Sequence, residues 1–504
     1  MDRSHGDHSV DMSPSLIQGE GGDRPAASGN PRPRPVTQFC FLWAAAEFFD
    51  LICFPGWITE PAGIALFLAT MAVLLKPSSS VRFLTMCLLD PLYLYVLSPW
   101  TPNHMLFKGF VSVTIVWVAF RYRRLPESSA RAAAFDEAAA LLRIETFLLY
   151  FLSFFHKLNW DFLDPATSCA GFMLDGLAQR LPIIPTGPLF DSAAIWVSLA
   201  IEGGIGLFLL FRPTRRFALL LAWGFHFLLA FHPRTGIYAF SAMLLALLSL
   251  FLPDGFYAEL NSQIARRPML QRFRAALAGE AGFWLKRMLV YGSALAVAVA
   301  VVVFVVGVDL RSMNLRVYPE MAGMVLWVLY AIACFIAFWG VKPRPIPDTE
   351  LPPFRAAFRT PVVVMIALIT LNGMSPYLGL KAVPTLSMFS NLRTEGGVSN
   401  HILITAGIPL TDYQTDLVEI VSSSDVVLQF YADAGELLPY VELRRRVWDG
   451  AGPLTVTFLR NGSRIFVDRS DPNADSQIPP LPFPLYKLIA FRGIDRQGPV
   501  KCRW

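Results

Sequence analysis

The chain has 504 residues, of which 54% are hydrophobic and only 16% are charged, and its formal net charge is +5. Soluble domains carry about 25% charged residues, so this composition excludes an ordinary soluble protein and favours a polytopic membrane protein. The basic residues are grouped in short loops between apolar runs, a pattern typical of membrane topology and not of a surface that binds nucleic acid.

The N-terminal part of the chain is polar. Its first 37 residues are rich in Gly, Ser, Pro and Asp and contain no apolar core. We therefore predict that residues 1–37 form a disordered cytoplasmic tail, because they cannot bury enough apolar surface to fold. The first apolar run begins at Phe39, which predicts an uncleaved membrane anchor and no cleavable signal peptide.

Eleven apolar stretches follow, each long enough, or nearly so, to cross a bilayer. They lie near residues 39–55, 58–75, 81–98, 105–122, 142–158, 192–211, 216–231, 237–252, 287–308, 321–340 and 361–380. The predicted fold is a mainly α polytopic membrane bundle of about 9–11 transmembrane helices.

Basic loops predict the orientation of these helices. Arg and Lys cluster in residues 121–124, 212–216, 265–287 and 342–359, which fall on alternate connections of an eleven-span chain. Because positively charged loops stay in the cytoplasm, we predict a multi-pass protein of the cell membrane. Its N-terminus would lie inside and residues 381–504 outside.

Residues 381–504 differ in character from the rest. Period-two runs such as LVEIV and LTVTFLRNGSRIFVD predict β-strands, and Asn461-Gly462 in the second run is a favourable two-residue hairpin turn. We therefore expect a small, mainly β extracytoplasmic domain after the last membrane helix.

The six cysteines are scattered singly. They lack the paired spacing of a zinc site, so no metal site is predicted. Cys169 and Cys502 fall outside the apolar runs, and whether they form a disulfide stays open at this stage.

Ionisable side chains inside the predicted spans are costly in lipid and are therefore candidates for function. In chain order they are Glu47, Asp50, Asp90, Glu145, His156, Lys157, Glu202 and His226. The first three are carboxylates for which the sequence identifies no partner.

Lys157 and His104 are predicted to lie near the outer boundary of the membrane. The 142–158 helix ends outside at Lys157, and His104 immediately precedes a span that runs in the opposite direction. Tyr150 and Ser153 share a helix face with Lys157. We expect the two basic side chains to line one cavity, where a desolvated amine would serve as a general base. The alternatives are a lysine that snorkels to the headgroups and an interfacial histidine cap.

Glu202 and His226 are further candidates. Glu202 lies mid-span in the stretch IEGGIG, whose glycines permit close helix approach, so it either lines a cavity or makes a structural hydrogen bond. His226 and His232 bracket the outer end of the 216–231 helix, and for His232 an interfacial histidine is the favoured interpretation.

Three ordered motifs resemble a known membrane family. They are YFLSFFHKLNWDFLDP, AIEGGIGLFLLFRPTRRFALLLAWGFHFLLAF and GIYAFSAMLLALLSLFLP. Together they look like the horizontally transferred transmembrane domain, which is shared with vitamin K-dependent gamma-glutamyl carboxylase. On this resemblance we predict a carboxylase-like domain at 38–255, additional transmembrane helices at 256–380 and the outer domain at 381–504.

The resemblance implies a chemistry. In the carboxylase, a lysine of the Lys-Leu motif is regarded as the base that deprotonates vitamin K hydroquinone, after which oxygen drives epoxide formation and CO2 adds at a glutamate γ-carbon. Lys157 takes the place of that lysine, and His104 resembles the histidine of the carboxylation half-reaction. The implied co-substrate is reduced vitamin K or a menaquinol-type quinol that arrives through membrane lipid. The predicted cavity and substrate-binding residues are His156, Glu202, His226 and Tyr150.

Two functions stay open from the sequence. One is a quinol-dependent carboxylase or epoxidase-type enzyme, for which a protein is one candidate substrate. The other is a non-enzymatic scaffold that binds quinone or lipid, or that presents the outer domain to an envelope partner. His156 replaces the first lysine of the family's Lys-Lys pair, and the outer region is much smaller than in the carboxylase, which argues against a peptide substrate.

Overall fold

Helices make up most of the computed structural model, which describes residues 35–233, 237–253, 255–306, 317–341, 360–450, 452–496, 498–500 and 502. Of the predicted tail, residues 1–37, only residues 35–37 are among the described residues. The basic loop 342–359 also lies outside the described residues. The prediction of a mainly helical chain with a small sheet near its C-terminus is confirmed.

Each of the eleven predicted apolar stretches coincides with a helix. In chain order these helices and the shorter ones between them are α1 (Val36–Cys53), α2 (Pro61–Leu75), α3 (Ser80–Leu97), α4 (Asn103–Arg121), α5 (Glu127–His156), α6 (Trp160–Leu163), α7 (Cys169–Arg180), α8 (Pro188–Leu210), α9 (Arg215–Leu229), α10 (Ile237–Leu248), α11 (Phe256–Arg266), α12 (Pro268–Ala278), α13 (Glu280–Val306), α14 (Val317–Gly340) and α15 (Thr360–Met374).

Fewer of these helices than predicted are long enough to cross a membrane. Among the described residues, seven are long and apolar enough, or eight if the bent pair 237–251 and 256–266 counts as one broken span. The helices α2, α9 and α15 have 15 residues each. Such helices are about 22 Å long, whereas the hydrocarbon core is about 30 Å thick. The predicted number of 9–11 spans therefore included helices that are too short to cross alone.

Helix α5 is longer than predicted. It has 30 residues and begins directly after Pro126, whereas the apolar pattern predicted residues 142–158. Its first half is rich in Ala and carries the charged residues Glu127, Arg131, Asp136 and Glu137, which oppose burial in lipid, so a hydropathy pattern detects only the second half. Glu137 in that first half forms an ion pair of 2.7 Å with Arg121 at the end of α4.

Connections between the membrane helices fall into two sets at opposite ends of the bundle. At one end, Arg131 of α5 donates to the Ser78 carbonyl between α2 and α3 (2.6 Å), and Arg143 donates to the Leu250 carbonyl after α10 (2.8 Å). At the other end, Lys487 from the C-terminal region donates to the Ser98 carbonyl between α3 and α4 (3.1 Å). The side of the membrane that each end faces stays a prediction.

The C-terminal region contains one five-stranded antiparallel sheet. The strands are β1 (Leu417–Ser423), β2 (Glu436–Pro439), β3 (Thr455–Arg460), β4 (Ser463–Asp468) and β5 (Ile494–Asp495), arranged in the order β4-β3-β1-β2-β5. The predicted hairpin joins β3 and β4, and its turn residues Asn461 and Gly462 both have positive φ angles, 51° and 78°. Positive φ at both positions is the requirement of a type I′ turn, which Asn-Gly meets at low cost.

Four helices accompany this sheet, so the region is mixed α/β and not mainly β. They are α16 (Val426–Asp433), α17 (Tyr440–Trp448), α18 (Ala474–Gln477) and α19 (Leu485–Leu488). Leu428 of α16 and Leu443 of α17 are fully buried with Phe458 of β3 in one apolar core. Both helices are shorter than three turns, so their apolar periodicity is too brief to detect, and the sequence analysis predicted neither.

A linker, residues 375–401, joins α15 to the C-terminal sheet and packs onto the membrane helices. Asn103 at the start of α4 accepts hydrogen bonds from the backbone N–H groups of Thr385 (3.0 Å) and Leu386 (2.7 Å). Asn159 donates to the Ser390 carbonyl, and Asn391 accepts from the Cys169 N–H (2.7 Å). These side chains hold the linker directly over the ends of α4 and α5.

Cys169 and Cys502 form a disulfide, which answers the question that the sequence left open. The bond joins the start of α7 to the C-terminal region across 333 residues of sequence. Asn391 of the linker supports the same place by donating to the Val500 carbonyl (2.8 Å). A disulfide is expected in an oxidising compartment, which agrees with the predicted outer location of this end of the protein.

We expect Cys502→Ser to lower the free energy of unfolding by about 2–4 kcal/mol, because the cross-link restricts the unfolded chain. Thermal and chemical unfolding in detergent micelles, with and without reductant, measures this change. Cys53→Ser is the matched control, because Cys53 takes no part in the Cys169–Cys502 disulfide. An equal loss in both variants, or no loss in Cys502→Ser, would contradict the prediction.

His401 predicts a pH dependence of stability. Its Nε2 donates to the Phe155 carbonyl (2.9 Å), and its Nδ1 accepts from the N–H groups of Leu403 and Ile404 (both 3.1 Å), so the ring is neutral. Burial lowers the pKa of His401, and the rings of Phe155 and Tyr377 pack against it, although the hydrogen bond to the Phe155 carbonyl opposes this effect.

Below pH about 6.5 the histidine of the unfolded chain binds a proton, whereas His401 in the folded protein stays neutral down to its lower pKa. The free energy of unfolding should therefore fall as the pH falls from about 6.5 through the lower folded pKa. Unfolding curves between neutral and acidic pH, compared with His401→Gln, isolate this contribution. The variant should show a shallower pH dependence in that window, and equal slopes would exclude the assignment.

Candidate functional site

A cavity of about 1400 Å³ lies at the end of the bundle that carries the linker. Its walls come from the ends of α1, α3, α4, α5, α9 and α10, from α6, α7 and α8, and from linker residues Met388 and Phe389. Most lining side chains are apolar. Of the six residues predicted for the site, five line this one cavity, namely His104, Tyr150, Lys157, Glu202 and His226.

Lys157 lies directly after the last residue of α5, and its side chain turns into the protein. Its Nζ lies 2.7 Å from Glu202 Oε2, 3.0 Å from Ser153 Oγ and 3.1 Å from the Met388 carbonyl. The residue is 4% exposed. A snorkelling lysine would place its amine among headgroups and water, whereas this amine is bonded to protein acceptors beside a cavity.

Close packing of α5 against α8 brings Glu202 to the amine. A Cβ atom at Gly203 would lie 3.1 Å from the Phe154 ring, and one at Gly206 would lie 3.5 Å from Tyr150 Cβ. The stretch IEGGIG thus lets the two helices approach, and Glu202 both pairs with Lys157 and lines the cavity. Ser153 Oγ also donates to Glu202 Oε2 (2.8 Å), so the carboxylate has two partners on α5.

Tyr150 and His226 form a second polar pair on the cavity wall. Their side chains join through the Tyr150 hydroxyl and His226 Nε2 at 3.1 Å. Ser241 of α10 donates to the His226 carbonyl (3.1 Å), which fixes α9 against α10 at this level. Tyr150 lies seven residues before Lys157 on the same helix face, so the two polar pairs are neighbours.

His104 belongs to a third polar group, at the end of the cavity formed by α1 and α4. Its Nε2 lies 2.8 Å from Asp50 Oδ1. Asp50 also contacts Lys108 Nζ, one turn further along α4. His104 and Lys157 therefore line the same cavity, but each has its own carboxylate partner.

Lys108 was missed by sequence reasoning although it is 1% exposed and central to this group. It lies 2.8 Å from Glu47 and 3.9 Å from Asp90, and Ser112 donates to Asp90 (2.6 Å). The three carboxylates without a predicted partner thus meet here. His104, Lys108 and Ser112 recur at intervals of four residues, which places them on one helix face and would have been a usable signal.

His156 does not line the cavity. It lies one residue before Lys157 on a different face of α5, it is fully buried, and its Nδ1 lies 3.0 Å from the Tyr377 hydroxyl in the linker. Its contacts hold the linker against the helix. Glu145, another predicted candidate, accepts from Thr114 (2.6 Å) and joins α5 to α4 away from the cavity.

The donor set of the cavity suits an organic ligand. Within the described residues, no group of three or more His, Cys, Asp or Glu side chains has the geometry of a metal site. The apolar walls suit a lipid-soluble ring, and the polar groups at Lys157 and His104 suit hydroxyl or carbonyl groups on it.

Comparison of the chain with protein-family models, with characterised proteins and with solved structures gave no match. The family resemblance therefore depends on the sequence motifs alone.

We expect Glu202→Ala to destabilise the fold by about 3–5 kcal/mol, because it leaves the buried Lys157 ammonium without its carboxylate. The double variant Lys157→Met with Glu202→Leu should recover most of that loss, since removal of both charges leaves nothing unpaired. Chemical unfolding in detergent measures both values. If the double variant were as unstable as the sum of the two single variants, the pairing would carry no energetic coupling.

Proposed function

We propose that the protein is a quinol-dependent membrane enzyme of the carboxylase-like kind, in which the Lys157–Glu202 pair removes a proton from a lipid-soluble quinol. The observation that carries this proposal is the buried amine, bonded to Glu202 and lining a large apolar cavity. Intramembrane ionisable side chains are costly, so a pair retained beside a cavity favours a role in chemistry over a role in packing.

The pair is able to act as one base. When the Lys157 ammonium passes a proton to the Glu202 carboxylate, the amine regains its lone pair and accepts a proton from a substrate hydroxyl. The products are an ammonium and a neutral carboxyl group, and the new substrate anion then lies beside the ammonium. Ser153 and the Met388 carbonyl keep the amine in position, because both accept hydrogen bonds from it.

The shape and chemistry of the cavity support a quinol as the ligand class. Its volume of about 1400 Å³ exceeds the usual range for small-molecule pockets, about 300–1,000 Å³, so a ring with part of an isoprenoid tail would fit. The exposed aromatic side chains Trp160 and Trp196 lie on elements that form its walls, and such residues favour the membrane interface. The ligand would therefore enter from lipid.

The sequence resemblance supplies the reaction. Quinol and dioxygen would give the quinone epoxide and one water, and the strong base formed on the way would allow CO2 to add to a carbanion. His104, with Asp50 on its Nε2, is the residue of this chain that would serve the second half-reaction. The linker packs over the cavity, which favours a small acceptor of CO2 over a large peptide.

We expect Lys157→Met to abolish quinol-dependent oxygen consumption in proteoliposomes supplied with a menaquinol. Loss of a positioned acid–base group reduces turnover by about 10²–10⁴-fold. Glu202→Gln should also reduce turnover, because the pair then has no second acceptor. Oxygen electrode traces and incorporation of labelled CO2 measure the two half-reactions.

Lys76→Met is the matched control, since Lys76 is an exposed lysine in the connection between α2 and α3. It should keep wild-type turnover. Unchanged turnover in a folded Lys157→Met protein would remove the assignment. If deletion of residues 381–504 then abolished function, the protein would be better described as a scaffold that presents its outer region.

A further inference from the structure

The polar group at His104 continues away from the cavity as a buried stripe along α4. His104, Lys108 and Ser112 occupy successive turns of that helix, so the stripe is about 12 Å long. Each side chain meets a carboxylate from a neighbouring helix. Asp50 of α1 contacts His104 and Lys108, and Asp90 of α3 accepts from Ser112.

The stripe carries a surplus of negative charge. Three carboxylates, Glu47, Asp50 and Asp90, surround the single ammonium of Lys108, and none of the four residues is more than 4% exposed. A buried charge without a partner costs several kcal/mol, so the group holds bound protons that offset the surplus. A group with bound protons and several acceptors is able to release one proton and take up another.

His104 is the contact between this stripe and the cavity. Asp50, as a carboxylate paired with Lys108, only accepts hydrogen bonds, so His104 Nε2 is the protonated ring nitrogen. In the neutral ring the other nitrogen, Nδ1, carries a lone pair, and it has no hydrogen-bond partner in the part of the chain that the structure describes. His104 lines the cavity, so a ligand there is able to reach its ring.

Two further hydroxyl groups indicate that this end of the cavity receives a polar part of a ligand. Tyr93 and Thr101 both line the cavity and are 2% and 5% exposed. Neither hydroxyl has a hydrogen-bond partner among the described residues. An unpaired buried hydroxyl costs about 1–3 kcal/mol, and a hydroxyl or carbonyl group of a ligand would remove that cost.

We propose that His104, Asp50, Lys108, Glu47 and Asp90 form a proton relay, which exchanges protons through His104 with a hydroxyl-bearing ligand in the cavity. A proton that binds Nδ1 makes the ring cationic, and the ring then releases its Nε2 proton to Asp50. The return path reverses both transfers, so the ring acts as a shuttle. This inference rests on the proposed function only for the identity of the ligand.

The relay is tested by isotope exchange on the full chain in lipid nanodiscs, with no quinol present. Infrared spectra record the C=O stretch of protonated carboxyl groups after transfer from H2O to D2O. A band of this C=O stretch that disappears in Asp90→Asn or Glu47→Gln belongs to a carboxyl group of the stripe. A band that disappears in Glu145→Gln belongs to the separate carboxyl group of α5. In the unaltered protein the component of the stripe should shift promptly.

His104→Phe should slow that shift by about 10²-fold or more, the lower range for a positioned acid–base group. The matched control is His401→Gln, which alters a buried histidine of the linker that does not line the cavity and has no bond to the stripe, so the rate should be unchanged. His104→Gln keeps an N–H donor for Asp50 but cannot pass a proton, so it reports the same loss if His104→Phe fails to fold.

Two results would overturn the relay. One is the absence of any protonated carboxyl component from Glu47, Asp50 or Asp90. The other is an unchanged exchange rate in folded His104→Phe or His104→Gln protein. Because the measurement needs no turnover, prompt and His104-dependent exchange together with a failed quinol assay would retain the relay and remove the proposed ligand.

Discussion

Burial of charge away from water is the constraint on which the cavity depends. An ammonium inside a membrane bundle is stable only with acceptors around it, so the position of Lys157 requires Glu202 on α8, Ser153 on α5 and the Met388 carbonyl in the linker. These three partners come from distant parts of the chain. The pair therefore fixes the relative positions of two membrane helices and of the segment that covers them.

The same constraint gives the cavity two different ends. At one end a single amine meets a single carboxylate, and the pair is balanced in charge. At the other end Lys108 is outnumbered by carboxylates, and His104 stands between that group and the cavity. A ligand that bridges the two ends would meet a balanced pair on one side and a carboxylate-rich group on the other. This asymmetry suits a molecule whose two polar parts undergo different steps.

Sequence patterns could predict the membrane helices and much of the cavity wall. Helical spacing relates Tyr150 to Lys157, and the glycines after Glu202 indicate a close helix contact, because both signals are local. Lys108 was not predicted, because a lone lysine in an apolar run has no local partner. The carboxylates that surround it come from α1 and α3. The linker contact with Lys157 was also beyond prediction, since no pattern relates Met388 to a helix more than 200 residues earlier.

The linker has a consequence for how the protein is made. Helices α4, α5 and α8 enter the membrane before residues 385–401 have been synthesised, so the Lys157 amine lacks one acceptor during insertion and Asn103 lacks both of its backbone donors. The cavity must therefore be uncovered on its linker side while the later helices insert. The linker covers the cavity only after the C-terminal residues fold back and Cys502 forms the disulfide with Cys169.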